Sequence, residues 1–478
     1  MINDTPPAII EGGMGIAVSD WKLARAVSMQ GQLGVVSGTA SDSVLARRLQ
    51  DGDLGGHMRR AIEHFPLRKT AAEVIKRYFR PEGRPPGVPF VNLSMHQQVQ
   101  GKLRNQITML GTFVEVHLAK HGHDGRVGIN LLTKVQLPNL ASLYGAMLAG
   151  VDYVLMGAGI PKEIPAALAA MARHEPASMK LVMEPDSGES EHIRLDPAEH
   201  WEGERPELKQ PRFLPIVAST SLATMFVRKI GGVDGIVIEG PTAGGHNAPP
   251  RGVPAFNPRG EPVYGERDEV DLAKIRDLGL PFWLAGGTGC PAGLQRARAA
   301  GAAGVQVGTL FAYCDESGLA EPLKRSVLEH AARGEVDVYT DPLASPTGYP
   351  FKVVHWAGDP APGAPRKRVC DLGYLRTAYR RPDGRVGYRC ASEPVDLFVK
   401  KGGDIAETTG RKCLCSALLS NIGLGQLRPD GSTEPALLTS GDELKTIGAF
   451  LAGRTRYNAA DVIRYLLGAA GPELAPGV

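Results

Sequence analysis

Short apolar runs that end on Gly or a small polar residue alternate along this chain with Ala-rich stretches of helical period. Such alternation predicts parallel strands joined by crossover helices. The runs place strands at about 8–11, 33–37, 127–131, 151–156, 213–218, 234–239, 281–285 and 304–308. Helices fit between several of them, at 20–30, 139–149, 162–172 and 290–300, and "AG" or "GG" ahead of two following strands supplies a helix stop. Eight strands is the number that a closed α/β barrel, the (β/α)8 TIM barrel, requires.

A plain barrel takes ~250 residues, and this chain has 478. The excess falls in three segments. Residues 41–126 read as a mainly helical insertion, with Ser43 as N-cap before VLARRLQ and a long amphipathic stretch from about 97 to 120. Residues 184–212 read as an acidic, Pro-rich, exposed excursion. The expected organisation is therefore a barrel over 1–349, interrupted by those two segments, and a C-terminal extension over 350–478 that packs on it.

Charge narrows the function classes. The formal net charge of +3 is too small for a nucleic-acid partner, which calls for a concentrated basic face. The imbalance is local: 13 Lys/Arg against 7 Asp/Glu over 352–412, and 9 acids against 3 bases over 184–209. These read as two solvated surfaces of opposite sign, the basic one also able to dock an anionic tail. With no run of 18 or more apolar residues, no membrane span is expected. The opening MINDTPPAII lacks a signal-peptide pattern and six cysteines make no disulfide framework, so the expected location is cytoplasmic.

Candidate chemistry follows the strand ends, since barrel active sites lie at the C-terminal rim. Glycine-rich turns recur there. Gly12-Gly13-Met14-Gly15 follows the first strand, Asn130 ends the third, Gly244-Gly245-His246 follows the sixth, Gly286-Gly287-Thr288-Gly289 the seventh and Gly308-Thr309 the eighth. Turns after strands seven and eight commonly hold a phosphate, because glycine lets backbone N–H groups approach it closely. His246 is the candidate acid, base or hydrogen-bond donor beside that site. No Ser-His-Asp arrangement, GxSxG elbow or HExxH motif is present.

Taken together, AIIEGGMGIAVSDWKLARAVSMQGQLGVVSGT at 8–39, VGINL at 127–131, GVDYVLMGAGIP at 150–161, GGVDGIVIEGPTAGGHNAPPRG at 231–252, LAGGTGCPAGLQRARAAGAAGVQVGTLF at 284–311 and SPTGYPFKV at 345–353 resemble the nitronate monooxygenase (2-nitropropane dioxygenase) family. These are FMN-dependent barrels related to the FMN-dependent enoyl-acyl carrier protein reductases. The resemblance covers about half the chain. It implies that Gly12, Gly13, Met14, Asn130, Gly244 and Gly245 line the flavin. It further implies that Gly286, Gly287, Thr288, Gly308 and Thr309 hold the FMN phosphate, and that His246 is the catalytic histidine. The implied activity is oxidation of alkyl nitronates with O2 to carbonyl compounds and nitrite. One alternative is an NAD(P)H-dependent reductase of enoyl thioesters, with NAD(P)H as co-substrate and an acyl-thioester carrier as partner; another is a flavin-free barrel serving as a binding subunit. The family's glutamate–alanine pair before GGH is replaced here by Pro241-Thr242-Ala243. The 86-residue insertion and 129-residue tail are absent from short members, so the substrate does not carry over with the fold.

Other constellations carry less. Cys370, Cys390, Cys413 and Cys415 lack the paired CxxC knuckles of a zinc ribbon and read as buried or inert thiols rather than metal ligands. His117 and His121 share a helix face near its C-terminus, where cationic side chains are favourable. Gly423-Leu424-Gly425 lacks the spacing of a dinucleotide fingerprint.

Overall fold

The computed structural model describes residues 5–185, 188, 190–201, 203–359 and 366–468. Eight parallel strands form one sheet: β1 Ile9–Glu11, β2 Gly34–Ser37, β3 Val127–Leu132, β4 Tyr153–Gly157, β5 Arg212–Val217, β6 Ile236–Glu239, β7 Phe282–Ala285 and β8 Gly304–Val307. Their spatial order follows the chain, and β8 pairs with β1. The seam between β1 and β2 is joined by Ile10 and Leu33 in a parallel bridge, Glu11 N donating to Leu33 O and Leu33 N to Ile9 O. The sheet is thus closed into a TIM barrel, with each expected strand within two residues of its place.

Side chains alternate across the wall, as the period of a strand dictates. Ile10, Val35, Leu155, Leu214, Val237 and Trp283 meet inside the barrel. Ile9, Val36, Val154, Phe213, Ile238 and Val305 face the helices outside. Trp283 fills the base of the interior, its indole N–H donating to Pro7 O at 2.8 Å.

The insertion is helical: Ser41–Gln50, His57–Ile62, Arg68–Tyr78 and Lys102–Lys120. Ser43 is not its N-cap. The helix begins at Ser41 behind Ala40 in left-handed conformation, and the Ser43 hydroxyl instead meets Tyr374 Oη at 2.6 Å. The long helix starts at Lys102 rather than 97, because Gly101 is extended. The acidic segment is less exposed than its charge suggests. Glu191–Leu195 pairs antiparallel with Ala177–Leu181, and alternation buries Ile193 and Leu195.

An antiparallel ribbon, Val336–Asp341 with Phe351–Trp356, straddles the expected boundary at 349/350, so barrel and tail share one element. Beyond it the tail contains a second ribbon, Thr377–Arg380 with Val386–Arg389, and helices Val395–Lys400, Leu414–Asn421, Ile447–Leu451 and Ala459–Leu466. Insertion and tail are bound together by a buried charge. Asp42 receives Arg104 at 2.8 Å, His96 Nε2 at 3.2 Å and the Tyr374 hydroxyl. Arg104 and the hydrogen bonds hold its carboxyl well below the usual range, against the opposing push of burial. No helix among the described residues is long and apolar enough to cross a membrane.

Candidate functional site

A cavity opens at the C-terminal rim of the barrel, where the turns following the strands converge. Gly12, Gly13 and Met14 enter it from β1, and Asn130 from β3. Gly244, Gly245 and His246 line it after β6, Gly286 after β7, and Gly308 with Thr309 after β8. Gly287 and Thr288 do not line it; the Thr288 hydroxyl turns back to Leu284 O at 3.3 Å.

Two glycines show why the turns must be bare. A Cβ on Gly13 would lie 2.3 Å from the Asn130 Cβ, so the first turn rests directly on β3. Gly286 has φ +86°, and a Cβ there would stand 2.9 Å from Ala243 N and 3.1 Å from Gly240 O. The turns after β6 and β7 therefore pack backbone against backbone.

His246 is held from two sides. It bridges Phe351 of the shared ribbon, the two rings meeting edge-on at 4.9 Å. Its Nε2 lies 2.7 Å from the Ser345 hydroxyl, which in turn meets Thr347 Oγ1 at 2.8 Å. Desolvation pushes the imidazole pKa down to about 4, so the ring is neutral at pH 7 and acts as a hydrogen-bonding group rather than a cation.

The tail, expected from the sequence only to pack on the barrel, roofs the cavity. Residues 439–443 form a strap across the rim. Gly245 N donates to Thr439 Oγ1 at 2.9 Å, Gly441 N to Thr309 Oγ1 at 3.1 Å, and Asp442 N to Thr242 O at 3.0 Å. The Glu443 carboxyl accepts from Gly289 N at the entry to helix Pro291–Ala299, and burial pushes its pKa up, so the roof is tied to the far end of the predicted phosphate turn. Leu375, Leu414, Leu418 and Leu438 give the roof an apolar underside.

Two glutamates end strands at this rim and differ in use. Glu11 points outward, is fully buried, and has both oxygens engaged, by the Ser19 hydroxyl and Val35 N. Burial pushes its pKa up to about 8. Glu239 points inward and lines the cavity, and among the described residues no group hydrogen-bonds or ion-pairs with its carboxyl. Desolvation pushes it up to about 7. An acid closing the apolar run IVIE, at the strand that also presents His246, was the signal in the sequence that could have found it.

The cavity suits a flat, polar-edged group. Gln306 Oε1 is buried on its wall without a hydrogen-bond partner among the described residues, and bare glycine backbone supplies the close approach.

The remaining candidates lie elsewhere. His117 stacks between His64 and Phe113 on the insertion, at 4.7 and 5.4 Å. Cys370, Cys390, Cys413 and Cys415 meet around a small cleft beneath the roof. Burial pushes the Cys413 thiol up to about 11 and Cys415 well up; the adjoining Cys390 thiol, with burial, does the same to Cys370. Cys370, Cys413 and Cys415 are therefore protonated, sluggish thiols at neutral pH. Among the described residues no three His, Cys, Asp or Glu side chains are placed to hold a metal ion.

Comparison with known proteins bears on the second half of the barrel. Residues 204–339, which hold β5 to β8 and His246, match the nitronate monooxygenase family model. A nitronate monooxygenase of Paraburkholderia phytofirmans is 35% identical over 130 residues, 27% of this chain and 33% of that protein. A probable nitronate monooxygenase of Staphylococcus haemolyticus is 29% identical over 122 residues, 26% of this chain and 33% of that protein. The matched region thus spans about one third of each curated relative's length. Among solved structures, FabK from Thermotoga maritima superposes with a TM-score of 0.46 at 17% identity, covering 98% of this chain and 94% of that one. Nitroalkane oxidase from Streptomyces ansochromogenes superposes with a TM-score of 0.44 at 15% identity, covering 97% and 96%.

Proposed function

We propose that this chain, which resembles the nitronate monooxygenase family and matches its model over residues 204–339, is an FMN-dependent oxidoreductase that oxidises small nitronates with O2 to carbonyl compounds and nitrite. The observation that carries this reading is the convergence of glycine turns after four strands, with Asn130 of a fifth, on one cavity that also holds His246. Gly12, Gly13, Met14 and Asn130 would flank the flavin ring, with Gly244 and Gly245 on the opposite wall. Gly286, Gly308 and Thr309 would face its phosphate, while Gly287 and Thr288 would support that turn from outside the cavity. Bound FMN would supply the electron acceptor. The protein's part is to exclude water beneath the tail roof, to hold the substrate against the ring, and to present a neutral His246 to substrate oxygens.

The apolar underside of the roof supports a second reading, reduction of an enoyl thioester at the expense of NAD(P)H, since Leu375, Leu414, Leu418 and Leu438 offer more apolar surface than a small nitronate needs. Oxygen uptake and nitrite release with propyl 2-nitronate test the first reading. Anaerobic mixing of the flavin-loaded protein with NADPH tests the second. Turnover of the nitronate without bleaching by NADPH is the expected result; rapid bleaching with no nitrite would reverse the order of the two readings.

A further inference from the structure

The pairing register sets three side chains abreast on the barrel's inner face. Glu239 of β6 is in register with Ala285 of β7, and Ala285 with Gln306 of β8. Val237 and Trp283, two residues earlier on their strands, already point inward, and strand alternation therefore brings Glu239 and Ala285 to the same face. Ala285 is small, and the space above it belongs to the cavity. All three residues line that cavity.

This position distinguishes Glu239 from the other acids nearby. Glu11 is spent on closing the barrel, and Glu443 is spent on Gly289 N. Glu239 has no protein partner among the described residues, and its carboxyl faces only the cavity. Tyr264, outside the cavity, feels the Glu239 charge, but its hydroxyl is committed to Ala248 O at 3.0 Å. On the cavity wall the other titratable groups are His246, Tyr374, Cys415 and Glu443. Tyr374 is committed to Asp42, and burial keeps Cys415 protonated. Among the described residues no Lys or Arg lines the cavity to fix Glu239 as a carboxylate. A half-buried acid that faces a desolvated cavity without a partner is costly to ionise, and such groups gather where a protein exchanges protons with a ligand.

We propose that Glu239 is the proton-exchanging acid of this cavity, with His246 confined to neutral hydrogen bonding. As a carboxylate it removes a proton from an acidic substrate C–H, the electron pair of that bond remaining on the substrate. As an acid it returns a proton to a substrate carbanion or oxyanion, and water restores its starting state. A pKa lifted by desolvation toward the working pH lets both directions run without a metal or a cationic partner. The reaction it serves rests on the flavoenzyme reading; its titration does not.

The test has two arms. Glutamate labelled with 13C at Cδ is followed by NMR over pH 4–10 in flavin-free protein. A carboxyl signal titrating near neutrality that disappears in Glu239→Gln is the expected result, the Glu11 signal being assigned through Glu11→Gln. An assignment of Glu239 to a signal titrating below pH 5 would overturn the proposal. In the loaded enzyme, Glu239→Gln is expected to lose roughly 10²-fold in turnover together with the neutral inflection of the pH profile, and Glu239→Asp to regain part of both. An unchanged pH profile in Glu239→Gln would also overturn it. Wild-type protein inactive toward nitronate and NADPH alike, with Glu239 still titrating near neutrality, would support the assignment and count against the flavoenzyme reading. Thermal melting at pH 8 guards against misfolding, since the amide relieves a buried charge and should not lower the midpoint.

Discussion

His246 Nε2 lies 2.7 Å from the hydroxyl of Ser345, a residue 99 positions later in the chain. The loop inside the Val336–Asp341/Phe351–Trp356 ribbon therefore fixes the orientation of the ring that the barrel presents to the cavity. Replacing His246 by Ala should leave flavin binding intact and lower turnover by ~10²–10³-fold, the loss of one hydrogen-bonding group at the reacting oxygens. Ser345→Ala removes one hydrogen bond worth about 1 kcal/mol, roughly a fivefold effect on turnover. Steady-state kinetics beside the flavin absorbance of each purified variant check both values.

Gly13→Ala places a methyl 2.3 Å from the Asn130 Cβ, closer than packed atoms allow. A strain of ~1–3 kcal/mol is expected, together with weaker FMN binding as the first turn is pushed from β3. The urea midpoint and a flavin fluorescence titration measure the two effects separately.

Glu11 carries a native-state pKa of about 8 against an ordinary 4.5. Between those values the folded protein holds a proton that the unfolded chain releases, so stability should be fullest near pH 4.5 and fall as pH rises toward 8. Glu11→Gln keeps the bonding to Ser19 and Val35 in reach and should flatten that decline, on the order of a few kcal/mol across the window. Urea denaturation at pH 5, 7 and 9 gives the answer directly.

Asp42 joins Arg104 and His96 of the insertion to Tyr374 of the tail roof. Asp42→Asn leaves a buried guanidinium uncompensated and should cost ~3–5 kcal/mol. Tyr374→Phe, which drops only the hydroxyl, should cost about 1 kcal/mol. Calorimetric melts of the two variants rank them.

Much of this arrangement was legible in the chain, for physical reasons that also mark the limit. Parallel strands buried on both faces read as continuous apolar runs, so VGINL and DGIVIE announced themselves, and strand-end logic led to His246. Helix starts were less legible. Ser43 had cap chemistry, yet the chain turned at Ala40 and the serine became a partner of Tyr374. A tail packing on the barrel was expected, but the contacts by which it roofs the cavity were not legible. The contact of Glu443 with Gly289 spans 154 positions, and nothing in either segment names the other. Glu239 ends an apolar run at the same rim as the glycine turns, and its inward direction follows only from its register with Ala285.

FMN and riboflavin, titrated separately into flavin-stripped protein, differ only in the phosphate that the turns after β7 and β8 are assigned to hold. Saturation at one FMN per chain, with riboflavin bound at least 10²-fold more weakly, or ≈ 2.7 kcal/mol, is the outcome the account predicts. Equal affinity for the two flavins, or no saturable binding of either, would contradict it.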